Sequence, residues 1–213
     1  MTPAFFLYSG AWLIENLAVR RNTANYGPSG KAPVAPFYYL APMLYFLNGF
    51  MGSGKSYWGR RWSGVFGLEF FDLDEVIERR EGKTIRVMFE QEGEKAFRQA
   101  EREALATLLD KNNAIIACGG GTPCFHDNLK RMNRAGITIF LKTPVEELVR
   151  RLLPELGHRP VLSHTNAETL PGFIEGKLQE RAHCYDGCVY HFHTSYLTDE
   201  NFKKIVEKCK KHS

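Results

Sequence analysis

The chain has 213 residues, of which 44% are hydrophobic and 24% are charged, and its net charge is +4 at neutral pH. These values suit one α/β domain with an appendage and a substantial core. The modest positive charge fits a pocket for anionic small molecules. The basic pairs are scattered along the chain and do not form the cluster expected of a nucleic-acid-binding surface, so we expect no nucleic-acid partner.

The first 42 residues are interpreted as an N-terminal extension of unknown role. They lack the basic start and uninterrupted apolar centre of a secretory signal. Residues 32–54 carry no charge and are numerous enough for a membrane span, but prolines and glycines interrupt this run. We therefore expect no membrane association. Met43 directly precedes the first predicted strand, so the predicted domain is 43–213, and one interpretation is that the protein begins at Met43.

The central motif begins with a short apolar strand, Leu44 to Leu47, and continues as Gly49-x-x-x-x-Gly54-Lys55-Ser56. Glycines let successive backbone N–H groups converge on one anion, and the helix that follows adds the positive end of its dipole. In such a loop the lysine reaches the β- and γ-phosphates of a nucleotide and the serine hydroxyl ligates Mg²⁺. The alternative is a glycine-rich turn that happens to precede Lys-Ser, but the strand before it and the helix after it favour a phosphate-binding loop.

The rest of the chain alternates helices and strands, which predicts a three-layer α/β/α fold with a central, mostly parallel five-stranded sheet. Asp74 is the predicted N-cap of its helix, and Gly93 separates two helices. Residues 154–171 are rich in Pro, Gly, His and Thr and predict a mobile lid. The predicted helices are 56–66, 74–80, 84–92, 94–109, 127–135, 144–153, 172–185 and 198–211, and the further strands are 68–72, 113–118, 137–141 and 189–192.

Two carboxylates, Asp72 and Asp74, end the second predicted strand. One would turn toward Mg²⁺ and the other toward a substrate hydroxyl; the alternative is a pair that only caps a helix. Arg98 and Glu101 stand three residues apart on one helix. They form either a surface ion pair worth a few tenths of a kcal/mol, or a rigid two-pronged clamp for a carboxylate.

Three consecutive glycines, Gly119 to Gly121, follow a buried strand. A simple turn needs one or two glycines, whereas three allow the backbone to lie directly against a ligand. The alternative is a longer turn without function. We expect this segment to border the same site as the carboxylates and the arginine, because the carboxyl ends of parallel strands meet at one edge of a sheet.

Taken in this order, these motifs resemble the shikimate kinase family from about Met43 to the C-terminal helix. The matched residues also include Arg159-Pro160 in the lid and Arg181 before Tyr185. The resemblance implies a P-loop kinase fold and transfer of a phosphoryl group from ATP, with Mg²⁺, to the 3-hydroxyl of shikimate. This step leads toward chorismate and the aromatic amino acids. Asp74 would position or deprotonate that hydroxyl, and Arg159 would meet the charge on the transferring group.

The resemblance also implies a role for each matched residue. The catalytic set is Lys55, Asp74 and Arg159; the ATP-binding set is Gly49, Gly52, Ser53, Gly54, Lys55, Ser56, Tyr57, Arg151 and Arg159; the shikimate-binding set is Asp74, Arg98, Glu101, Gly119, Gly120, Gly121 and Arg181; and the Mg²⁺ set is Ser56 and Asp72. Glu101 would orient Arg98, and Arg151 would stack on adenine.

The sequence departs from the family at residues 193–198, so the residues that contact the base are not assigned there. Two other functions stay open: a kinase for another polyol acid such as gluconate, and a nucleotide-binding protein without turnover. The two-arginine, triple-glycine acceptor site argues against the first. The intact residues Lys55, Ser56, Asp74 and Arg159 argue against the second. We expect a monomer.

Five cysteines, an odd number, favour reduced thiols and a cytoplasmic location. Cys184 and Cys188 lie close in sequence to three histidines, which would suit a metal site. Their spacing lacks a second matching pair, so we interpret them as packed thiols beside surface histidines.

Overall fold

The computed structural model describes residues 43–156, 160–162 and 165–210, so the predicted extension at 1–42 lies outside it. Within these residues five strands form one sheet in the order β2-β3-β1-β4-β5, and every neighbouring pair is parallel. This confirms the predicted parallel sheet. The strands are β1 Leu44–Asn48, β2 Glu69–Asp72, β3 Ala114–Ala117, β4 Gly136–Lys142 and β5 Tyr190–His193.

Seven α-helices connect and follow the strands in the described part of the chain. None of these helices is both long and apolar enough to span a membrane. They are α1 Lys55–Phe66, α2 Leu73–Glu81, α3 Ile85–Leu108, α4 Asn128–Ala135, α5 Val145–Leu152, α6 Leu170–Asp186 and α7 Asp199–Lys210.

The central strand β1 is buried on both faces, because β3 and β4 flank it and helices cover it above and below. Alternate side chains point to opposite faces of a strand. Leu44 and Phe46 therefore pack with α2, α3 and α4, whereas Tyr45 and Leu47 pack with α1 and α7. The result is the predicted three-layer α/β/α arrangement.

Local chemistry sets the ends of several helices. Thr84 caps α3 by accepting a hydrogen bond from the backbone N–H of Val87, and Gly93 interrupts this helix with a φ of 78°, as its sequence predicted. The predicted N-cap of α2 is wrong by two residues. The Asp72 side chain caps this helix by accepting from the backbone N–H of Asp74 at 3.1 Å, so Asp74 lies inside the first turn.

Two glycines inside α1 provide a matched test of packing against helix propensity. A methyl group at Gly59 would overlap Cε2 of Phe70, whereas nothing lies within 4 Å of one at Gly64. Gly59→Ala is expected to lower the free energy of unfolding by about 1–3 kcal/mol, because the methyl overpacks the core. Gly64→Ala is expected to raise it by about 0.5–1 kcal/mol. Urea unfolding of both variants measures the two changes, and equal effects would contradict the packing around Gly59.

Candidate active site

The carboxyl ends of β1, β2 and β3 meet at one edge of the sheet, and the segments that follow them surround one cleft of about 840 Å³. Three sequence motifs contribute to its walls: the phosphate-loop motif, the Asp72–Asp74 pair and the triple glycine. Arg98 and Arg181 complete the lining from α3 and α6. The topology therefore brings together residues that are up to 130 positions apart in sequence, as the position of the motifs at strand ends predicted.

The phosphate-loop motif has the backbone that its glycines predict. Gly52 and Gly54 have φ values of +78° and +88°, which favour glycine, and a methyl group at Gly49 would lie 2.8 Å from the backbone oxygen of Leu141. Ser53 is buried, and its hydroxyl oxygen has no hydrogen-bond partner among the described residues. A buried polar oxygen of this kind is costly unless a ligand or water satisfies it, which suits a site for a polar ligand.

Lys55 and Ser56 begin α1 and turn back toward the loop and the next strand. The Lys55 ammonium group donates to the backbone oxygens of Gly49 and Phe50, both at 2.9 Å. The Ser56 hydroxyl donates to Asp72 Oδ2 at 2.6 Å. Hydroxyl and carboxylate oxygens are the ligands that Mg²⁺ prefers, so the pair predicted from sequence to hold the metal is brought together.

Arg151 reaches the phosphate-loop motif from α5. Its Nη1 donates to the backbone oxygen of Gly52 at 2.8 Å, and its Nε donates to Glu147 at 2.7 Å. Hydrogen bonds from Arg150, and then from Arg151, lower the pKa of Glu147 to about 2, so this carboxylate is ionised at neutral pH. Tyr57, also predicted on the nucleotide side, lines the cleft and is largely exposed.

Arg98 and Glu101 lie inside the protein, with exposed fractions of 8% and 0%. Arg98 Nη1 donates to Glu101 Oε2 at 2.9 Å, and Nε and Nη2 donate to Glu94 Oε1 at 3.2 Å and 3.0 Å. The ring of Phe125 packs on the guanidinium, with its centroid 3.9 Å from Cζ. Because both side chains are buried, the alternative of a surface ion pair is excluded. The contacts with Glu101, Glu94 and Phe125 also hold the guanidinium in one orientation.

Each residue of the triple glycine lies close to a side chain predicted to be functional. A methyl group at Gly119 would lie 3.0 Å from Glu101 Oε1 and 3.2 Å from Asp74 Oδ1. A methyl at Gly120 would lie 3.3 Å from Arg181 Nη1 and 3.3 Å from the backbone nitrogen of Met51. The segment thus lies close both to the carboxylates of Asp74 and Glu101 and to the phosphate-loop motif.

Gly121 is even more constrained, because a methyl group there would lie 2.8 Å from Arg98 Nη2 and 3.0 Å from Nη1. Both arginines assigned to the acceptor therefore face the triple glycine. This close packing is the arrangement that the sequence motifs predict, and the role of the segment in substrate binding stays a prediction.

Two residues contact the site residues in ways that the sequence did not predict. Tyr185 of α6 donates its phenolic hydrogen to the backbone oxygen of Gly120 at 2.6 Å, and its ring stacks on Phe140 at 4.6 Å. Burial raises the pKa of Tyr185, so the phenol keeps its proton at neutral pH. Glu94 was visible only as an acid four residues before Arg98, a spacing that permits an i,i+4 pair.

The cysteine expectation is wrong for one pair. Cys124, which ends the 3₁₀ helix Thr122–Cys124, is disulfide-bonded to Cys184 of α6, with Cα atoms 5.3 Å apart. An odd cysteine count says nothing about which thiols the fold brings together. The bond also uses the thiol of Cys184 that had been considered as a metal ligand. Cys118, Cys188 and Cys209 take part in no disulfide bond within the described part of the chain.

The predicted lid lies partly outside the described residues, and Arg159 is among those not described. On either side of that gap the chain forms the 3₁₀ helices Leu153–Glu155 and Pro160–Leu162. The predicted end of the lid at 171 overlaps α6, which begins at Leu170 because Pro171 is tolerated in the first turn of a helix. The predicted start of this helix at 172 is therefore two residues late.

Comparison with known proteins agrees with this geometry. A family model described as shikimate kinase matches residues 51–210. A shikimate kinase of Bacteroides thetaiotaomicron is 39% identical over 154 residues, which is 72% of this chain and 88% of that protein. The shikimate kinase of Parabacteroides distasonis is 39% identical over 156 residues, covering 73% of this chain and 90% of its own length.

Solved structures give the same result. The crystal structure of the Bacteroides thetaiotaomicron shikimate kinase superposes with a TM-score of 0.74 at 35% identity, covering 78% of this chain and 99% of that one. Shikimate kinase from Acinetobacter baumannii in complex with shikimate superposes with a TM-score of 0.72 at 31% identity, covering 83% and 97%. Since the family model spans most of the chain and the relatives match over nearly their whole length, this chain belongs to the shikimate kinase family.

Proposed function

We propose that this protein transfers a phosphoryl group from ATP to the 3-hydroxyl of shikimate, giving shikimate 3-phosphate and ADP. One observation carries the proposal. A methyl group at Gly120 would lie 3.3 Å from the backbone nitrogen of Met51 in the phosphate-loop motif. Methyl groups at Gly119 and Gly121 would lie 3.0 Å from Glu101 Oε1 and 2.8 Å from Arg98 Nη2, so the triple glycine separates the two halves of the site by little more than its own backbone. A donor triphosphate and an acidic acceptor bound on the two sides of this segment would lie in one cleft.

On the acceptor side, Arg98 and Arg181 bind the carboxylate of shikimate. Arg98 is suited to this because Glu101 and Phe125 hold its guanidinium in place, and a preorganised fork loses less entropy on binding a carboxylate. Asp74 accepts a hydrogen bond from the reacting hydroxyl and positions it. The backbone of Gly119 to Gly121 leaves room for the ring.

On the donor side, the backbone N–H groups of the phosphate-loop motif and the Lys55 ammonium group bind the phosphates. Phosphoryl transfer requires alignment and charge stabilisation more than covalent steps, so these contacts supply most of what the protein contributes. Arg159 approaches the transferring group with the lid 154–171. Closure of the lid excludes water, which would otherwise accept the phosphoryl group.

Mg²⁺ is the cation that fits this site. Ser56 Oγ and Asp72 Oδ2 lie 2.6 Å apart, and no group of three metal-binding side chains is present within the described residues. A single hydroxyl–carboxylate pair suits Mg²⁺, which in kinases takes most of its ligands from phosphates and water. Ser56 and Asp72 would hold this ion, which would supply positive charge beside the phosphates of ATP.

Asp72→Asn tests the metal assignment without removing the helix cap, since asparagine also accepts the hydrogen bond from the backbone N–H of Asp74. The Mg²⁺ concentration for half-maximal rate is expected to rise roughly tenfold or more, because the site loses a negative charge. Mg²⁺ titration of the initial rate measures this. Glu75→Gln is the matched control, as Glu75 is an exposed carboxylate in the helix that Asp72 caps and pairs with Arg60. An unchanged Mg²⁺ requirement in Asp72→Asn would contradict the assignment.

The function itself is tested by ADP release in three parallel reactions, with shikimate, with gluconate and without an acceptor. The proposal expects release that depends on shikimate and little in the other two. Release with gluconate alone would favour a kinase for another polyol acid. Nucleotide binding without release in any reaction would indicate a protein without turnover.

We also propose that residues 43–213 carry the whole activity as a monomer. Every residue named above for the acceptor side follows Met43 in the sequence and comes from the same chain. A second copy of the protein is therefore not needed to complete that part of the site. A chain that begins at Met43 should therefore turn over shikimate at the rate of the full chain. Loss of activity would show that residues 1–42 contribute to the domain.

A further inference from the structure

Thr122 is the first residue after the triple glycine, and its side chain is fully buried. Its hydroxyl donates to Glu101 Oε1 at 2.6 Å. The same carboxylate accepts from Arg98 Nη1 through its other oxygen, Oε2, at 2.9 Å. Glu101 is therefore held from both sides, by a neutral hydroxyl and by the guanidinium.

The backbone of Thr122 is itself fixed. Asn128, a buried residue at the start of α4, donates from Nδ2 to the backbone oxygen of Thr122 at 3.1 Å. The backbone N–H of Thr122 donates to the backbone oxygen of Gly119 at 3.2 Å. The hydroxyl also lies next to the triple glycine, since a methyl group at Gly119 would be 3.0 Å from Thr122 Oγ1. The threonine hydroxyl is thus held at a constant distance from the acceptor pocket.

Without the Thr122 hydroxyl, Glu101 Oε1 would lose the only hydrogen bond described for it, and a buried carboxylate oxygen without a partner is costly. The carboxylate would then rotate toward another donor and change its bond to Arg98. Arg98 has a second carboxylate partner, Glu94, whose side chain is 56% exposed. Weaker attachment to Glu101 would leave the orientation of the guanidinium to this more exposed carboxylate.

We propose that Thr122 is a positioning residue for the acceptor: through Glu101 it sets the orientation of Arg98 that binds the substrate carboxylate. This inference rests on the proposed function, and it adds a residue that the sequence motifs did not include. Thr122 does not contact the substrate or the phosphates in this account. Its effect is therefore confined to acceptor binding.

The test compares Thr122→Val with Thr122→Ser in steady-state kinetics. Valine keeps the shape but removes the hydroxyl, and it is expected to raise the KM for shikimate about tenfold or more, since a hydrogen bond to a charged group is lost. The KM for ATP should change less than twofold. Serine restores the hydroxyl and should return the KM for shikimate to within about threefold of the original protein.

Thr107→Val is the matched control, because Thr107 lies on the same helix as Glu101 and its hydroxyl bonds only to the backbone oxygen of Ala104 among the described contacts. It should leave both KM values unchanged. Equal KM values for Thr122→Val and the original protein, or an equal rise for shikimate and ATP, would overturn the proposal. If valine prevents folding, Thr122→Ala replaces it, with the same expected rise.

A second readout does not depend on turnover. The NMR signals of the Arg98 side chain, assigned by their loss in Arg98→Ala, report rotation of the guanidinium about its Nε–Cζ bond. Rotation should be faster in Thr122→Val than in Thr122→Ser or Thr107→Val. Unchanged rotation would refute the positioning role even if shikimate proved not to be the acceptor. A protein that shows faster rotation without turning over shikimate would instead refute the proposed function alone.

Discussion

Arg98→Ala is expected to raise the KM for shikimate by on the order of 10²-fold or more, because it removes a buried charge that pairs with the substrate carboxylate. The same change leaves Glu101, which is completely buried, without its charged partner. The affinity for ATP should remain nearly unchanged, since Arg98 contacts no residue of the phosphate-loop motif in the described contacts. Initial rates at varied shikimate and at varied ATP separate the two effects.

Arg102→Ala is the matched control for this prediction. Arg102 lies four residues further along α3, its side chain is 44% exposed, and its ion pair with Asp127 is long at 4.0 Å. Removing such a pair should change stability and KM little. If Arg98→Ala weakened the binding of ATP and of shikimate equally, Arg98 would support the fold as a whole and would not bind the acceptor specifically.

Lys55→Ala is expected to lower kcat by about 10²–10³-fold, the usual cost of removing one preorganised donor from a charged transition state. The Lys55 ammonium group lies against the loop through the backbone oxygens of Gly49 and Phe50, where the phosphates would bind. The KM for shikimate should change much less than kcat. Steady-state kinetics measure both constants, and circular dichroism checks that the variant is folded.

Lys142→Ala supplies the control for the charge itself, because Lys142 is an exposed lysine at the end of β4 on the same sheet. Its removal should leave kcat within about twofold. A Lys55→Ala enzyme with normal kcat would mean that the phosphate-loop motif does not act on the transferring group, and the donor half of the account would fail.

Much of the fold follows from local sequence. Strand β1 and the phosphate-loop motif were predictable because a buried apolar run favours a strand, and because the glycines stand where the loop requires positive φ angles that other residues rarely adopt. The parallel sheet followed from the alternation of strands and helices, which forces crossover connections. The errors at Asp72 and Leu170 are shifts of two residues, since either aspartate satisfies the capping pattern and a proline such as Pro171 can stand within the first turn of a helix as well as before it.

The candidate site was predictable to the extent that its residues stand at strand ends or at helical spacing. The burial of the Arg98–Glu101 pair was not, because i,i+3 spacing is the same in an exposed pair. Thr122 and Tyr185 act on residues 21 and 65 positions away, and single-residue types carry no signal for such contacts. The Cys124–Cys184 bond was missed for the same reason.

The most direct test of the acceptor site compares shikimate with its methyl ester, which keeps the ring hydroxyls but has no carboxylate charge. For the original protein, kcat/KM should be on the order of 10²-fold higher with shikimate than with the ester. In Arg98→Ala this preference should shrink at least tenfold. If the original protein used both compounds equally well, or if Arg98→Ala kept the full preference, the arginine pocket would not be the carboxylate site and the acceptor assignment would be contradicted.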